Sequence, residues 1–445
     1  MRIPQAGSTM LVLFALAGSL VAQTSSPHQA GPTTYDAALI GPADRLDAAR
    51  GDTLRLADLI DQARLDNPML QATRLQVDVA QERVPQRGAL PNPELFFGLK
   101  NRPLDGFGTD QQMTMNVIGA AQRFPWPGNQ GFSQEKAEHL ATADWLDASE
   151  AERQLVARLS AAYYRAAFLD RAIGIMQGTR ELLRGFREVA ETKYAVGAGV
   201  QQDVLQAQIS VAMMTEDITI AEQRRVALTA RINALVGRPS DGIVGALELP
   251  SSLPALPTTD SLTDQAIRQR PALAAAVQRV AAADAGYRAA RRKLYPDITF
   301  KVEYGQRPQF VDFLTLMVGV EIPLWAGKSD LPLRREMEAM RLKEEAKARD
   351  LHNETVARVM EIRAEAERAR KLAELYRESI VPQARASVES ALSAYRVGEV
   401  DYMTLVESEL TVNRYDIRTV SLRAEYHQAV AELTALIGET PGGTQ

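Results

Sequence analysis

The chain has no cysteine among its 445 residues. Disulfides, thiol catalysis and thiolate metal sites are therefore excluded, as is an N-terminal cysteine carrying a lipid anchor. Aromatic residues make up only 6%, which suits long, closely packed, alanine-rich helices better than a thick globular core. Basic charge is not in excess, since 51 Lys and Arg stand against 56 Asp and Glu. With no basic patch, nucleic acid is not an expected partner. Histidine is scarce. His28, His139, His352 and His427 show no ligand spacing, and surface positions are expected for all four. The 13 methionines are dispersed, where a soft-metal relay needs them clustered. No metal or cofactor is expected. A Gly-rich phosphate loop with a following Lys-Ser or Lys-Thr is missing, and so is a Gly-x-Ser-x-Gly elbow, so catalysis is not expected either.

What the chain does have is a duplication. Asp61-Gln62-Ala63, leading to Pro68, Leu70 and Ala72, returns as Asp264-Gln265-Ala266, leading to Pro271, Leu273 and Ala275. Pro93-Glu94-Leu95-Phe96-Phe97 answers to Pro296-Asp297-Ile298-Thr299-Phe300. Tyr194-Ala195-Val196-Gly197 answers to Tyr395-Arg396-Val397-Gly398, and Ala234-Leu235-Val236-Gly237 to Ala435-Leu436-Ile437-Gly438. Four landmarks in one order imply two equivalent structural units.

The N-terminus reads as an export signal. Arg2 precedes an apolar run from Met10 to Leu16 and small residues up to Ala22, after which cleavage is expected. No other segment approaches the roughly 18 apolar residues of a spanning helix. Residues 1–22 are thus the signal, 23–51 a flexible segment, 52–248 the first repeat, 249–259 a proline-rich linker, 260–438 the second repeat and 439–445 a tail.

Each repeat reads as a helix, two strands and two long helices. The helical openings, near Thr53 and at Ser261, should break at Asn67-Pro68 and Arg270-Pro271, because the residue before proline avoids helical angles. Ser261 with Asp264 resembles a capping box. From Asp297 to Tyr304, Ile298, Phe300, Val302 and Tyr304 fall on one face and polar residues on the other. Leu314, Leu316, Val318, Val320 and Ile322 supply the partner strand. In the first copy, Leu95, Phe97 and Leu99 pair with Met113, Met115 and Val117. Such alternation marks a half-buried strand and also a transmembrane barrel strand. The strands end at Phe124-Pro125-Trp126-Pro127-Gly128 and Ile322-Pro323-Leu324-Trp325-Ala326-Gly327, where Trp126 and Trp325 suit a membrane interface.

Between about Asn129 and Tyr194, Leu155, Leu159, Ala162, Ala166, Leu169, Ile173 and Met176 step by four and three, a heptad seam. Such a rod would be about 100 Å long. Its counterpart, Ser329 to Tyr395, contains Pro382, which should bend the helix or leave a backbone bond unmade. Gly237 and Gly438 suit C-terminal caps.

Four strands cannot seal themselves in lipid. An open edge there costs several kcal/mol per unpaired group, and single-chain barrels start at about eight strands. Copies of the chain must complete the sheet, with the helices continuing the tube. A soluble periplasmic coiled-coil adaptor or scaffold is the competing reading. It explains the rods but not four alternating segments ending at proline and tryptophan.

The ordered, duplicated set resembles the TolC family of outer membrane factors over about Asp52 to Gly438. The residues that carry the resemblance are the Asn67-Pro68 and Arg270-Pro271 openings, the Pro93 and Pro296 strand starts, the Phe-Pro-Trp-Pro-Gly exit, the Tyr-x-x-Gly turns and the Ala-Leu-x-Gly ends. It implies a mainly α fold with a small β part, and a homotrimer that joins a twelve-stranded β-barrel in outer membrane lipid to an α-helical barrel in the periplasm. It also implies a passive exit duct of a tripartite efflux pump or type I secretion system, driven by an inner-membrane transporter, RND type foremost, through a periplasmic adaptor. Tyr194, Val196, Gly197, Tyr395, Val397 and Gly398 match the periplasmic tips that dock the adaptor. Asp203, Asp401 and Glu407 are candidates for the acidic aperture, with solvated helix faces as the alternative. Metal ions, drugs and a secreted polypeptide all stay open as cargo.

Overall fold

The computed structural model describes residues 55–104, 108 and 110–438. The signal and flexible segments and the tail expected from the sequence lie outside the described residues.

The first repeat opens with α1 (Leu56–Asp66) and α2 (Pro68–Gly88). They break at Asn67, whose backbone is extended at φ −67 and ψ 117 as the residue before proline requires. Its side chain accepts from the Leu70 amide at 2.9 Å and donates to the Leu235 carbonyl at 2.8 Å. The second repeat opens with α5 (Thr259–Gln269) and α6 (Pro271–Arg292), broken at Arg270 with nearly the same angles. Here the expected cap is corrected. Thr258, not Ser261, caps α5, its hydroxyl accepting from the Ser261 amide at 3.4 Å, so Ser261 already lies in the first turn. Threonine offers the same acceptor three residues earlier.

The strands β1 (Glu94–Lys100), β2 (Met115–Phe124), β3 (Asp297–Gln306) and β4 (Phe313–Glu321) form one antiparallel sheet in the order β1-β2-β3-β4. The two hairpins are joined by β2 and β3, with Ile118 opposite Tyr304 and Phe124 opposite Ile298. β2 begins at Met115, so Met113 falls outside it, and the strand runs on to the proline after Phe124.

From the sheet descends α3 (Asn129–Ala195), an unbroken helix of 67 residues, about 100 Å long. Leu155, Leu159, Ala162, Ala166, Leu169 and Met176 of the expected seam are buried, and Ile173 is half-buried. Leu159 is fully enclosed; truncation to alanine should cost about 2–5 kcal/mol. The counterpart rod is α7 (Asp330–Leu375), a π-helical turn (Tyr376–Ile380) and α8 (Val381–Val397). The π turn stands just before Pro382, which has no amide hydrogen to continue the α-helical ladder. The returning helices are α4 (Gln201–Val236) and α9 (Tyr402–Ile437). α4 ends at Gly237, φ +88, where a Cβ would lie 2.5 Å from the Asp66 carbonyl oxygen. This close approach lets the end of α4 abut the end of α1.

The helices form one layer. α3 packs against α2 and α6 near the sheet and against α4 and α9 further away, while α7 packs against α6 and α9. The linker is not a free spacer. Arg423 donates to the Leu249 carbonyl at 3.1 Å, Tyr426 to Pro254 at 2.5 Å and Arg363 to Pro257 at 2.9 Å. His427 lies 3.2 Å from the Pro250 carbonyl oxygen, stacked on Tyr164 at 5.1 Å. This corrects the surface position expected for His427: it is a packing residue that holds the linker, and burial lowers its pKa from 6.5. His139 is likewise half-buried, 2.7 Å from Gln278.

Candidate functional site

Cross-strand partners share a face of a sheet, so the register sorts every side chain. One face carries Leu95, Phe97, Leu99, Ile118, Phe124, Ile298, Phe300, Val302, Tyr304, Leu314, Leu316, Val318 and Val320. It is bare in the single chain: Phe97 is 76% exposed and Leu316 75%. The other face carries Lys100, Arg123, Asp297, Lys301, Glu303 and Glu321. Glu94 shares this face, and the other six charges compensate one another. Lys100 meets Glu303 at 2.6 Å and Lys301 meets it at 3.6 Å. Arg123 reaches Asp297 at 2.7 Å and Glu321 at 2.9 Å. The Phe96 ring crosses the bare backbone of Gly119 and lies 4.1 Å from the Lys301 ammonium. A sheet apolar outside and charged inside fits lipid on one side and water on the other.

The two expected interface tryptophans differ. Trp325 is exposed. Trp126 is half-buried and stacks on Tyr295 at 5.1 Å, with its amide donating to Asp297 at 2.9 Å. It ties the sheet exit to the end of α6.

At the far end of the rods, the tip turns lie where the sequence places them. Gly197 at φ +76 and Gly398 at φ +83 take the left-handed angles that end α3 and α8. Tyr194 is exposed, and Val196 and Val397 are each 73% exposed. Tyr395 is not equivalent to Tyr194, being only 2% exposed and lying edge-on to buried Tyr402 at 5.8 Å. Lys193, which the sequence did not single out, donates to the Tyr395 carbonyl at 2.5 Å and lies 4.1 Å from its ring centroid. The structure therefore joins the first tip to the second within one chain.

Asp203 stands in the first turn of α4, half-buried, with its charge directed at Tyr395 and Tyr402. Burial pushes both phenols above the usual range, reinforced at Tyr395 by that charge and at Tyr402 by Tyr395 and then by Asp203. Among the described residues neither hydroxyl meets a partner at full hydrogen-bonding geometry. Asp401 caps α9, accepting from the Thr404 hydroxyl at 2.7 Å and the Thr404 amide at 2.8 Å, and these bonds hold its carboxyl below the usual range. Glu407 is exposed and lines a shallow groove with Thr404, Ser408 and Thr411. Asp203 and Asp401 thus occupy separate settings. Sequence reasoning also missed Glu409, buried on α9 without an ion-pair partner among the described residues, its pKa raised by burial and then by Asp416. Only its place on the inner face of a heptad pattern could have marked it.

An amphipathic sheet continued by very long helices is the architecture of a channel protein of the cell envelope. The chain belongs to the outer membrane efflux protein family, whose profile matches both repeats, at residues 59–238 and 262–439. It is 23% identical over 421 residues to the pyoverdine export outer membrane protein OpmQ of Pseudomonas putida, covering 88% of this chain and 86% of that one. It is similar in structure to the outer-membrane channel OprN, with a TM-score of 0.76 and 17% identity over 86% of this chain and 89% of that chain. The outer membrane protein VceC of Vibrio cholerae superposes with a TM-score of 0.74 at 17% identity over 86% and 96% of the two chains. The protein is an outer-membrane exit duct for efflux with its helices in the periplasm, and the family is one of channels, not enzymes. Its members work with adaptors and inner-membrane transporters.

Proposed function

We propose that three copies of the chain close one duct, and that its tips dock a periplasmic adaptor linked to an inner-membrane transporter of the RND type. The two-faced sheet with unpaired outer edges at β1 and β4 carries this reading. Those edges need partners in lipid, and a further copy offers β4 to β1. The helical layer has matching edges. Leu205, Ile209, Met213 and Ile220 form an exposed apolar stripe on α4, with Met69 and Val79 on α2 above it. Leu342, Met360 and Leu375 are exposed on α7 at the opposite edge. Their spacing keeps these residues on one side of α4, which suits contact with a neighbouring helix.

The tips divide their work. Exposed Tyr194, Val196 and Val397 supply apolar contacts for the adaptor, and Gly197 and Gly398 shape the turns. Buried Tyr395, braced by Lys193 and Asp203, sets the position of the second tip and with it the width of the aperture. Asp401 keeps α9 capped and Glu407 is free to face the lumen. The relationship to a protein named for pyoverdine export favours a small molecule over a polypeptide as cargo.

Closure is tested with Gly98→Cys on β1 and Thr315→Cys on β4 in one chain that has no other cysteine. Disulfide-linked trimers in membrane extracts and single-channel conductance in planar bilayers are expected. A water-soluble monomer without conductance would overturn the proposal.

A further inference from the structure

Just below the sheet, a cavity of about 730 Å³ opens among α2, α3, α6 and α7. Its wall holds four cationic side chains: Arg83 and Arg87 from the end of α2, Lys136 from α3 and Lys293 after α6. Only one acidic residue, Asp144, lines it, and that carboxylate accepts from Gln76 at 3.2 Å. None of the four cations makes an ion pair or hydrogen bond among the described residues. Their neighbours behave differently: Arg64 and Arg74 pair with Glu152, Arg279 with Asp147, and Arg288 with Glu135 and Asp284. The cavity thus gathers two arginines and two lysines that none of these acidic groups neutralises.

The opposing wall is stripped of side chains. Gly286, Ala289 and Ala290 present almost bare helix, and Lys136 lies across Gly286, where a Cβ would come within 3.5 Å of its ammonium. Small residues make the space, and of the cations along it Lys136 is half-buried while Arg83, Arg87 and Lys293 are exposed. Like charges held close repel one another, an arrangement stable in the presence of a counter-charge. Guanidinium groups bind phosphate through paired N–H donors and lysine adds point charge.

We propose that this cavity binds a phosphate group. Its level supports this. Asn129 of the cavity is five residues beyond the end of β2, and Lys293 is four before the start of β3. If the sheet spans the bilayer, as the preceding reading has it, the cavity lies at the periplasmic boundary, where phospholipid headgroups are found. The cationic lining itself does not depend on trimer closure.

The experiment uses the full-length protein in a neutral detergent and two probes. Inorganic phosphate is titrated at constant ionic strength against chloride, with thermal unfolding as readout. Separately, mixed micelles of phosphatidylglycerol are compared with phosphatidylcholine, with retained lipid read by native mass spectrometry. Stabilisation in the first arm identifies free phosphate as a ligand, and selective retention in the second identifies a lipid headgroup. Either supports the proposal, provided Lys136→Gln and Lys293→Gln each weaken the effect about tenfold, the size of one charge-assisted contact, and Lys347→Gln does not. No response in both arms, or a response unchanged in both cavity variants, overturns it. Bilayer conductance, read in parallel, reports duct closure independently.

Discussion

The Lys193 ammonium donates to the Tyr395 carbonyl at 2.5 Å and sits 4.1 Å from the centre of the same residue's ring. One side chain from the first repeat thereby grips both the backbone and the side chain of the second, 202 positions away in sequence. A charge-assisted bond of this kind is worth about 1.5–3 kcal/mol and a cation over a ring about 0.5–2 kcal/mol. Both act at the last turn of the rods, beside the buried cluster of Tyr395, Tyr402, Leu405 and Val406.

Lys193→Met should therefore loosen the tips without unfolding the chain, because the seam above them stays intact. The expected outcome is a longer open time in planar bilayers. Tyr395→Leu keeps the carbonyl partner and removes the ring, so its effect should be smaller. Equal effects from the two variants would assign the grip to the ring alone.

Asn67 and Arg270 hold equivalent places in the two repeats and solve the same break differently. Asn67→Ala loses a cap and a buried bond to Leu235, an expected cost of about 2–3 kcal/mol. Arg270→Ala should cost more, about 3–5 kcal/mol, because it leaves Glu150 buried without its partner, now 3.2 Å away. Denaturant unfolding of the two variants measures the difference. Arg270→Ala with Glu150→Leu should recover most of the loss.

These examples show what a sequence discloses. The breaks at Asn67 and Arg270, the 67-residue rod, the capping glycines and the alternating face of β3 all rest on local rules of proline, periodicity and glycine, and all were legible. The cap of α5 slipped from Ser261 to Thr258 because both residues offer a hydroxyl. Partnerships between distant residues left no local mark. Lys193 with Tyr395, Arg270 with Glu150 and the burial of His427 under the linker depend on which helices become neighbours. The tip residues read as equivalent from their shared Tyr-x-x-Gly, and packing separates them into exposed Tyr194 and buried Tyr395.

His427 makes one element of stability depend on pH. Burial lowers its pKa below 6.5, opposed by the Pro250 carbonyl and reinforced by Arg423. A depressed folded pKa means that the neutral ring is the native form. Its contribution is complete above 6.5 and is lost as pH falls through the lowered value. His427→Phe keeps the stack on Tyr164 and cannot titrate. Relative to the variant, the native chain should lose thermal stability as pH falls below 6.5. A constant difference across that range would show that His427 does not titrate against folding.

The sheet predicts opposite consequences for its two faces. Phe97→Arg puts a charge where Phe97 and Ile118 face outward, at a cost of about 2–4 kcal/mol near the bilayer centre. The variant should therefore accumulate outside the membrane fraction. Lys301→Gln alters the other face. Glu303 keeps Lys100 at 2.6 Å, so folding and insertion should persist, but that face loses one positive charge. Reversal potentials in a salt gradient should then move toward cation preference. The reverse pattern, with normal insertion of Phe97→Arg and failure of Lys301→Gln, would mean that the sheet presents its charged face to lipid.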